Sequence, residues 1–453
     1  MNNMKRLVIA LTTLMAAMTA TAQTSTHDQQ KPFGFCTRAS RTASTAYDIT
    51  GGGCYDYPVT GVSTSKITTL TATGKDMKND IGNAIKKFDV IILDGSQGDF
   101  IVSSTISLSS ISGKTLLGIN NARLCTTWHA TQEILDALNA AGVPQMSTSS
   151  GTGGTLSTGT KVSEEAEYNT RQIIINMTGD TKESYRSSGI FSFKNCQNLI
   201  IRNLKFVGPG SIDVSGSDLI SFTGTKNCWV DHCEFTDGMD GNFDITQKSD
   251  FNTVSWCCFS YTERSYMHQN TNLIGSSDSE TTGYLNTTFA FNHWGQNCRA
   301  RMPMARVGKI HMLNNYFTCT GSGNCINPRK NSEFLIEGNY FAPGVYNFYG
   351  QTDAISVTWG NNNYVAERAN GMPSSFGTTV TVPYPYTVAA ASDIPEEVGT
   401  HAGATLFTRT EDQTKIKPVQ ADADDGSYYN LTGQSVNACG RGIFIVNHRL
   451  ILK

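Results

Sequence analysis

Between about residues 195 and 345 one pattern of apolar and polar positions keeps returning. It reads "LIIRNLKF", "CWVDHCEF", "NTVSWCCF", "NTTFAFNHW", "KIHMLNNYF" and "EFLIEGNYF". Each is a short strand pattern that ends on an aromatic: Phe206, Phe235, Phe259, Trp294, Phe317 and Phe341. The separations run from the low twenties to the mid thirties, a period that signals a solenoid or a propeller. Two positions before each aromatic stand Leu204, Cys233, Cys257, Asn292, Asn315 and Asn339. Asparagines at one phase of consecutive repeats predict an internal ladder. In a parallel β-helix equivalent residues of successive coils stack at roughly 4.8 Å. Buried amides then bond along the stack, which offsets their burial. A propeller would demand about four strands per blade at more regular intervals. The pattern therefore predicts an all-β chain: a single-stranded right-handed parallel β-helix with loop insertions. The aromatics and asparagines are its architecture, and Cys233 and Cys257 are small apolar fillers of the same stack.

Other stretches interrupt this pattern. "TQEILDALNAAG" is the clearest helical periodicity in the chain. It leads into the low-complexity residues 145–160, "QMSTSSGTGGTLSTGT", which read as a mobile loop. Together they predict an insertion between strands. The first residues have a cationic start, the apolar run "LVIALTTLMAAM" and the small-residue pattern "TATA". That is a secretory signal peptide over 1–22. The β-helix is expected over 31–408, a polar linker over 409–426 and a small C-terminal β tail over 427–453, with weak likeness to the sorting modules of secreted enzymes. No later apolar run is long enough for a membrane span, and the protein is expected outside the cytoplasm as a monomer. Of the twelve cysteines, Cys319 and Cys325 flank the turn-rich "TGSGN" and form the one disulfide candidate.

Only 16% of the 453 residues are charged and the net charge is −3. Against that background "RARMPMARVGK", Arg299–Lys309, is a dense cationic cluster. A solvated face is one reading. Nucleic-acid binding is another, disfavoured by the acidic balance and by the lack of a broader basic stripe. The third is a fixed set of guanidiniums that hold a polyanion, since arginine's fork matches carboxylates bidentately. The acidic counterpart is Asp218 in "SGSDLISF" with Asp240 and Asp244 in "GMDGNFDI". Stacked coils would bring Asp218 beneath the other two. Each aspartate alone reads as a turn residue; the three together suit a hard cation such as Ca²⁺. A carboxylated polysaccharide fits both clusters.

"WVDHCEF", "DGNFDI", "LIGSSDS" and "RMPMARVGKIHMLNNYF" together resemble polysaccharide lyase family 1, the pectate and pectin lyases. The likeness is dense over about 190–345 and continues loosely to "VPYPYTVAAASDIPEEVGTHAGA". It implies cleavage of α-1,4-polygalacturonate by calcium-assisted β-elimination. By motif position it implies Arg301 as the base, Arg306 as a substrate-carboxylate ligand with Arg299 beside it, and Asp218, Asp240 and Asp244 as calcium ligands. Arginine is an awkward proton acceptor, with an ordinary pKa above about 12; neighbouring cations and partial burial favour its neutral form.

The chain departs from the family pattern at two places. Gly216 stands where another aspartate is usual, which leaves two alternatives: Asp213 as a substitute, or one protein ligand fewer at the site. Asn270 stands where a substrate-binding lysine is expected, with Arg264 or His268 as alternatives for that role. Asp231 and His232 are adjacent on a strand, so their side chains are expected on opposite faces in a structural role, and His293 and His311 read as structural too. A pectin lyase acting on methyl-esterified chains and a non-catalytic pectin-binding β-helix remain as rival functions.

Overall fold

The computed structural model describes residues 30–143, 162–212, 215–266, 268–366 and 372–407, together with four short C-terminal strands. The expected signal peptide over 1–22, the stretch 145–160, Asp213 and the expected linker over 409–426 lie outside the described residues. Residues 30–409 form one compact unit.

Three parallel sheets build this unit, with ten, nine and seven strands. The ten-stranded sheet runs from Ile67–Thr71 to Ser356–Trp359, the nine-stranded from Phe100–Val102 to Tyr364–Val365, and the seven-stranded from Ile106–Ser109 to Asn327–Pro328. One turn of the chain adds a strand to each in succession, as Lys226–Asp231, Glu234–Thr236 and Phe243–Thr246 do. This is the expected right-handed parallel β-helix, with the handedness that parallel crossovers almost always take.

The predicted ladder is present. Asn292 Nδ2 donates to Asn315 Oδ1 (3.1 Å), and Asn315 Nδ2 to Asn339 Oδ1 (2.9 Å). Asn363 extends the row: Asn339 Nδ2 donates to its Oδ1 at 3.0 Å. Each Oδ1 also accepts the backbone N–H of the residue below, so the buried amides are satisfied. The six aromatics stack in order, with ring centroids from 4.5 Å (Phe317–Phe341) to 5.4 Å (Phe259–Trp294).

The sheets differ in what covers their outer faces. Strands of the ten-stranded sheet such as Lys309–Leu313 are buried at every position. A strap through Phe35 and Cys36 lies on this face, bonding Thr288 Oγ1 and Thr253 Oγ1. The seven-stranded sheet keeps the alternation of an open face: Ile220 and Phe222 are buried, while Ser221 and Thr223 are partly exposed.

The helix at Gln132–Ala140 forms as expected, capped by Thr131, whose hydroxyl accepts from Ile134 N. A second helix, Val162–Thr178, joins it. Ile134, Leu138, Ala166 and Ile174 make a small core with Ile212 and Met239 of the coils. Cys319 and Cys325 do not form a disulfide: their sulfurs lie 3.7 Å apart as free thiols, and all eleven cysteines among the described residues are free. They pack instead as buried apolar groups, Cys319 Sγ touching Met302 Sδ at 3.4 Å. No helix among the described residues is long and apolar enough to cross a membrane. The C-terminal strands Tyr428–Tyr429, Ser435–Val436, Ile443–Val446 and Arg449–Leu452 form a separate antiparallel sheet.

Candidate active site

The candidate residues lie on or beside four successive strands of the seven-stranded sheet: Ile220–Thr223, Phe243–Thr246, Leu273–Ile274 and Met304–Ala305. Backbone bonds bring them level. Leu219 N donates to Gly241 O (3.1 Å), Asn242 N to Thr271 O (3.1 Å), and Asn272 N to Arg301 O (2.7 Å). Asn270 pairs with Ala300 in parallel register. Residues far apart in sequence thus become neighbours across coils, as the stacking argument required.

The carboxylates gather around Gly241. A Cβ there would stand 2.7 Å from Asp218 Oδ1 and 3.3 Å from Asp244 Oδ1, so glycine keeps the space between them open. Asp218 Oδ1 is buried and has no hydrogen-bond partner. Burial, with the charges of Asp244 and Asp240, raises the Asp218 carboxyl well above its usual range, against the pull of Arg301. Burial likewise raises Asp244 to about 7, opposed by Arg301 and by the Leu273 N–H that its Oδ1 accepts at 2.9 Å. Asp240 differs. Its side chain is 47% exposed and its Oδ1 lies 3.1 Å from His268 Nε2. Its burial pushes upward, but the His268 bond and the charges of His268 and Arg301 bring it below the usual value.

Arg301 is the cation that faces these groups. Its side chain makes no hydrogen bond or ion pair among the described residues, and its backbone is left-handed at φ 61°. The neighbouring arginines are engaged elsewhere. Arg306 Nε donates to Asp278 Oδ1 and its Nη1 to Gly275 O, both at 2.8 Å. Arg299 Nη1 donates to Gly321 O at 3.1 Å. The Asn270 side chain makes no hydrogen bond among the described residues, while its carbonyl accepts the Tyr261 hydroxyl.

The departures from the family pattern have local causes. A Cβ at Gly216 would stand 2.5 Å from Met239 Sδ and 2.6 Å from Ser188 Oγ. Met239 and Ser188 fill the space where an aspartate side chain would project. Arg264 points its Nη1 to His129 Nδ1 at 3.2 Å, away from the carboxylates, so of the two alternatives only His268 touches the acidic group.

Among the described residues no three acidic, histidine or cysteine side chains already stand as a metal cage. The donors nonetheless fit a hard divalent cation. Two oxygens face one small gap, one of them bondless, and burial above all, with the neighbouring carboxylates, raises both carboxyls.

Asp231 and His232 correct the sequence reading of opposite faces. Asp231 Oδ2 lies 2.7 Å from His232 Nδ1, because His232 leaves the strand with φ 46° and turns its ring back. Arg202 Nε (2.9 Å) and Ser255 Oγ (2.7 Å) complete a buried network on Asp231. The role is structural, as expected. His293 bonds Thr318 Oγ1 at 2.8 Å and His311 lies 2.9 Å from the Tyr384 hydroxyl, so both are structural.

Fold and site together define a parallel β-helix with paired carboxylates and an unbonded arginine on its open sheet. The family model described as Pectate lyase matches residues 132–405, and the chain belongs to that family. Pectate lyase A of Aspergillus niger is 32% identical over 225 residues, which cover 47% of this chain and 64% of that protein. The chain therefore spans a little under two thirds of that relative's length. Probable pectate lyase B of Aspergillus flavus is 31% identical over 241 residues, covering 49% of this chain and 69% of that one. A solved pectate lyase of Bacillus sp. N165, in complex with trigalacturonate, is 19% identical with a TM-score of 0.47, covering 82% of this chain and 98% of that one.

Proposed function

We propose that the protein is a secreted, monomeric pectate lyase that cleaves α-1,4-polygalacturonate by calcium-assisted β-elimination. The observation that carries this reading is the bondless Asp218 oxygen beside Asp244, faced by an Arg301 side chain with no partner among the described residues. Asp218, Asp240 and Asp244 would hold Ca²⁺, which when bound neutralises the substrate's C6 carboxylate and so makes the C5 proton more acidic. Arg301, as the neutral guanidine, takes that proton and becomes the guanidinium. The electron pair left at C5 forms the C4–C5 double bond as the bond from C4 to the glycosidic oxygen breaks. That oxygen leaves as a hydroxyl after gaining a proton from water, and the product is a 4,5-unsaturated oligogalacturonide. Arg306 keeps its Nη2 for a substrate carboxylate while Asp278 and Gly275 fix its other nitrogens. Arg299 and Asn270 supply further donors along the chain of sugars. Residues 427–453 would serve as a sorting module.

The test is ultraviolet absorbance of the unsaturated product, with polygalacturonate or highly methylated pectin, in Ca²⁺ or in chelator. Activity on polygalacturonate that chelator abolishes and Ca²⁺ restores is expected. Full activity in excess chelator would overturn the calcium assignment. Preference for methylated pectin would make the protein a pectin lyase, and binding without product on either substrate would make it a non-catalytic module.

A further inference from the structure

Of the three aspartates, only Asp240 has a side-chain partner on the neighbouring coil among the described residues. That partner is His268, whose Nε2 stands 3.1 Å from Asp240 Oδ1. His268 is not loosely placed. Its side chain is 14% exposed, and its backbone takes the left-handed conformation at φ 58°. Such a conformation costs on the order of 1 kcal/mol for a residue with a Cβ and persists only where its surroundings fix it. Here the surroundings do so. Asn270 N donates to His268 O at 2.7 Å, the Tyr261 hydroxyl clamps Asn270 O, and Gln269 Nε2 reaches back to Ser265 O at 3.2 Å. The next residue, Thr271, donates its N–H to Ala300 O at 3.0 Å and its hydroxyl to Arg301 O. The turn that aims the imidazole at Asp240 is therefore bonded to the segment that carries Arg301.

We propose that His268 is the positioning residue for Asp240: its imidazole, in contact with one carboxylate oxygen through Nε2, holds that oxygen and leaves the other presented to a divalent cation shared with Asp218 and Asp244. Metal-ligating carboxylates are commonly held in this way, and removal of the holding group typically weakens metal affinity about 10–100-fold. The inference rests on the calcium reading above.

The experiment is calorimetric titration of Ca²⁺ into the full chain, without substrate, for wild type, His268→Leu and His268→Gln. Metal-free melting temperatures are recorded alongside. Leucine fills the space without a donor, so its Kd should rise about 10–100-fold at an unchanged metal-free melting temperature. Glutamine places an amide nitrogen near the imidazole Nε2 and should recover most of the affinity. If His268→Leu does not fold, His268→Asn decides, since its shorter amide cannot span the contact. A wild type that binds Ca²⁺ with an unchanged Kd in the folded donor-deleted variant overturns this inference alone. A wild type that binds no Ca²⁺ overturns the calcium reading and this inference with it.

Discussion

Arg301 sits in a left-handed backbone conformation beside Ala300, with its side chain unbonded among the described residues. A side chain that merely attracted a polyanion would tolerate lysine there. A proton acceptor would not, because the shorter ammonium cannot reach the same point. Arg301→Lys should lower kcat on the order of 10²–10⁴-fold with KM roughly kept. Steady-state kinetics with circular dichroism checks this, and near-normal kcat with raised KM would demote Arg301 to a binding residue. Gly241→Ala tests the gap itself. The new methyl meets Asp218 Oδ1 at 2.7 Å, so the Ca²⁺ concentration for half-activity should rise about tenfold or more, of the order seen when a group supporting a metal site is disturbed. An unchanged requirement would show that the cation lies elsewhere. The aspartates were legible because stacking converts their sequence positions into neighbours. His268 was less so, since its approach to Asp240 depends on a left-handed turn that no periodicity announces. The same cause hid the Asp231–His232 contact, where φ 46° overrides strand alternation.

At the scale of elements, the asparagine row is the clearest case of pattern becoming structure. Asn315 Oδ1 accepts from both the backbone and the side chain of Asn292, and its Nδ2 donates to Asn339 Oδ1 and Phe289 O. Asn315→Ala strands buried donors on Asn292 and an acceptor on Phe289. It should cost about 2–4 kcal/mol, at roughly 1–3 kcal/mol per unsatisfied group with partial relaxation. Denaturant unfolding measures it, and a loss under about 0.5 kcal/mol would mean that water replaces the amide. Strand positions were legible from their apolar runs; which outer face is covered was not. The strap over Thr253 and Thr288 and the open row at Ser221 arise from segments distant in sequence. The helix Val162–Thr178 escaped notice because "VSEEAEYNTRQIIINMT" mixes acidic residues with a β-branched run. Tertiary packing of Ala166 and Ile174 decides its conformation.

Across the whole molecule, the carboxylates trade stability for a place to bind a cation. In the metal-free chain Asp244 is raised from 3.8 to about 7. Below about pH 4 both folded and unfolded chains hold its proton, and the group has no net effect. Between there and about 7 only the folded chain holds it, so this contribution to stability falls as pH rises. Above about 7 the full penalty applies. Asp244→Asn never ionises. In chelator it should melt higher than wild type at pH 8 and at nearly the same temperature at pH 4, as scanning calorimetry would show. Equal differences at both pH values would refute the linkage. The coil-on-coil architecture carries a further consequence. A solenoid is held by nearest-neighbour contacts and frays from its ends. The carboxylates and Arg301 are spread over four consecutive strands of the seven-stranded sheet, with further coils on either side. Peeling of the terminal coils should leave turnover untouched, and turnover should then vanish abruptly once the unzipping front reaches this block. Enzymatic activity would thus act as a positional gauge of how far the molecule has come undone.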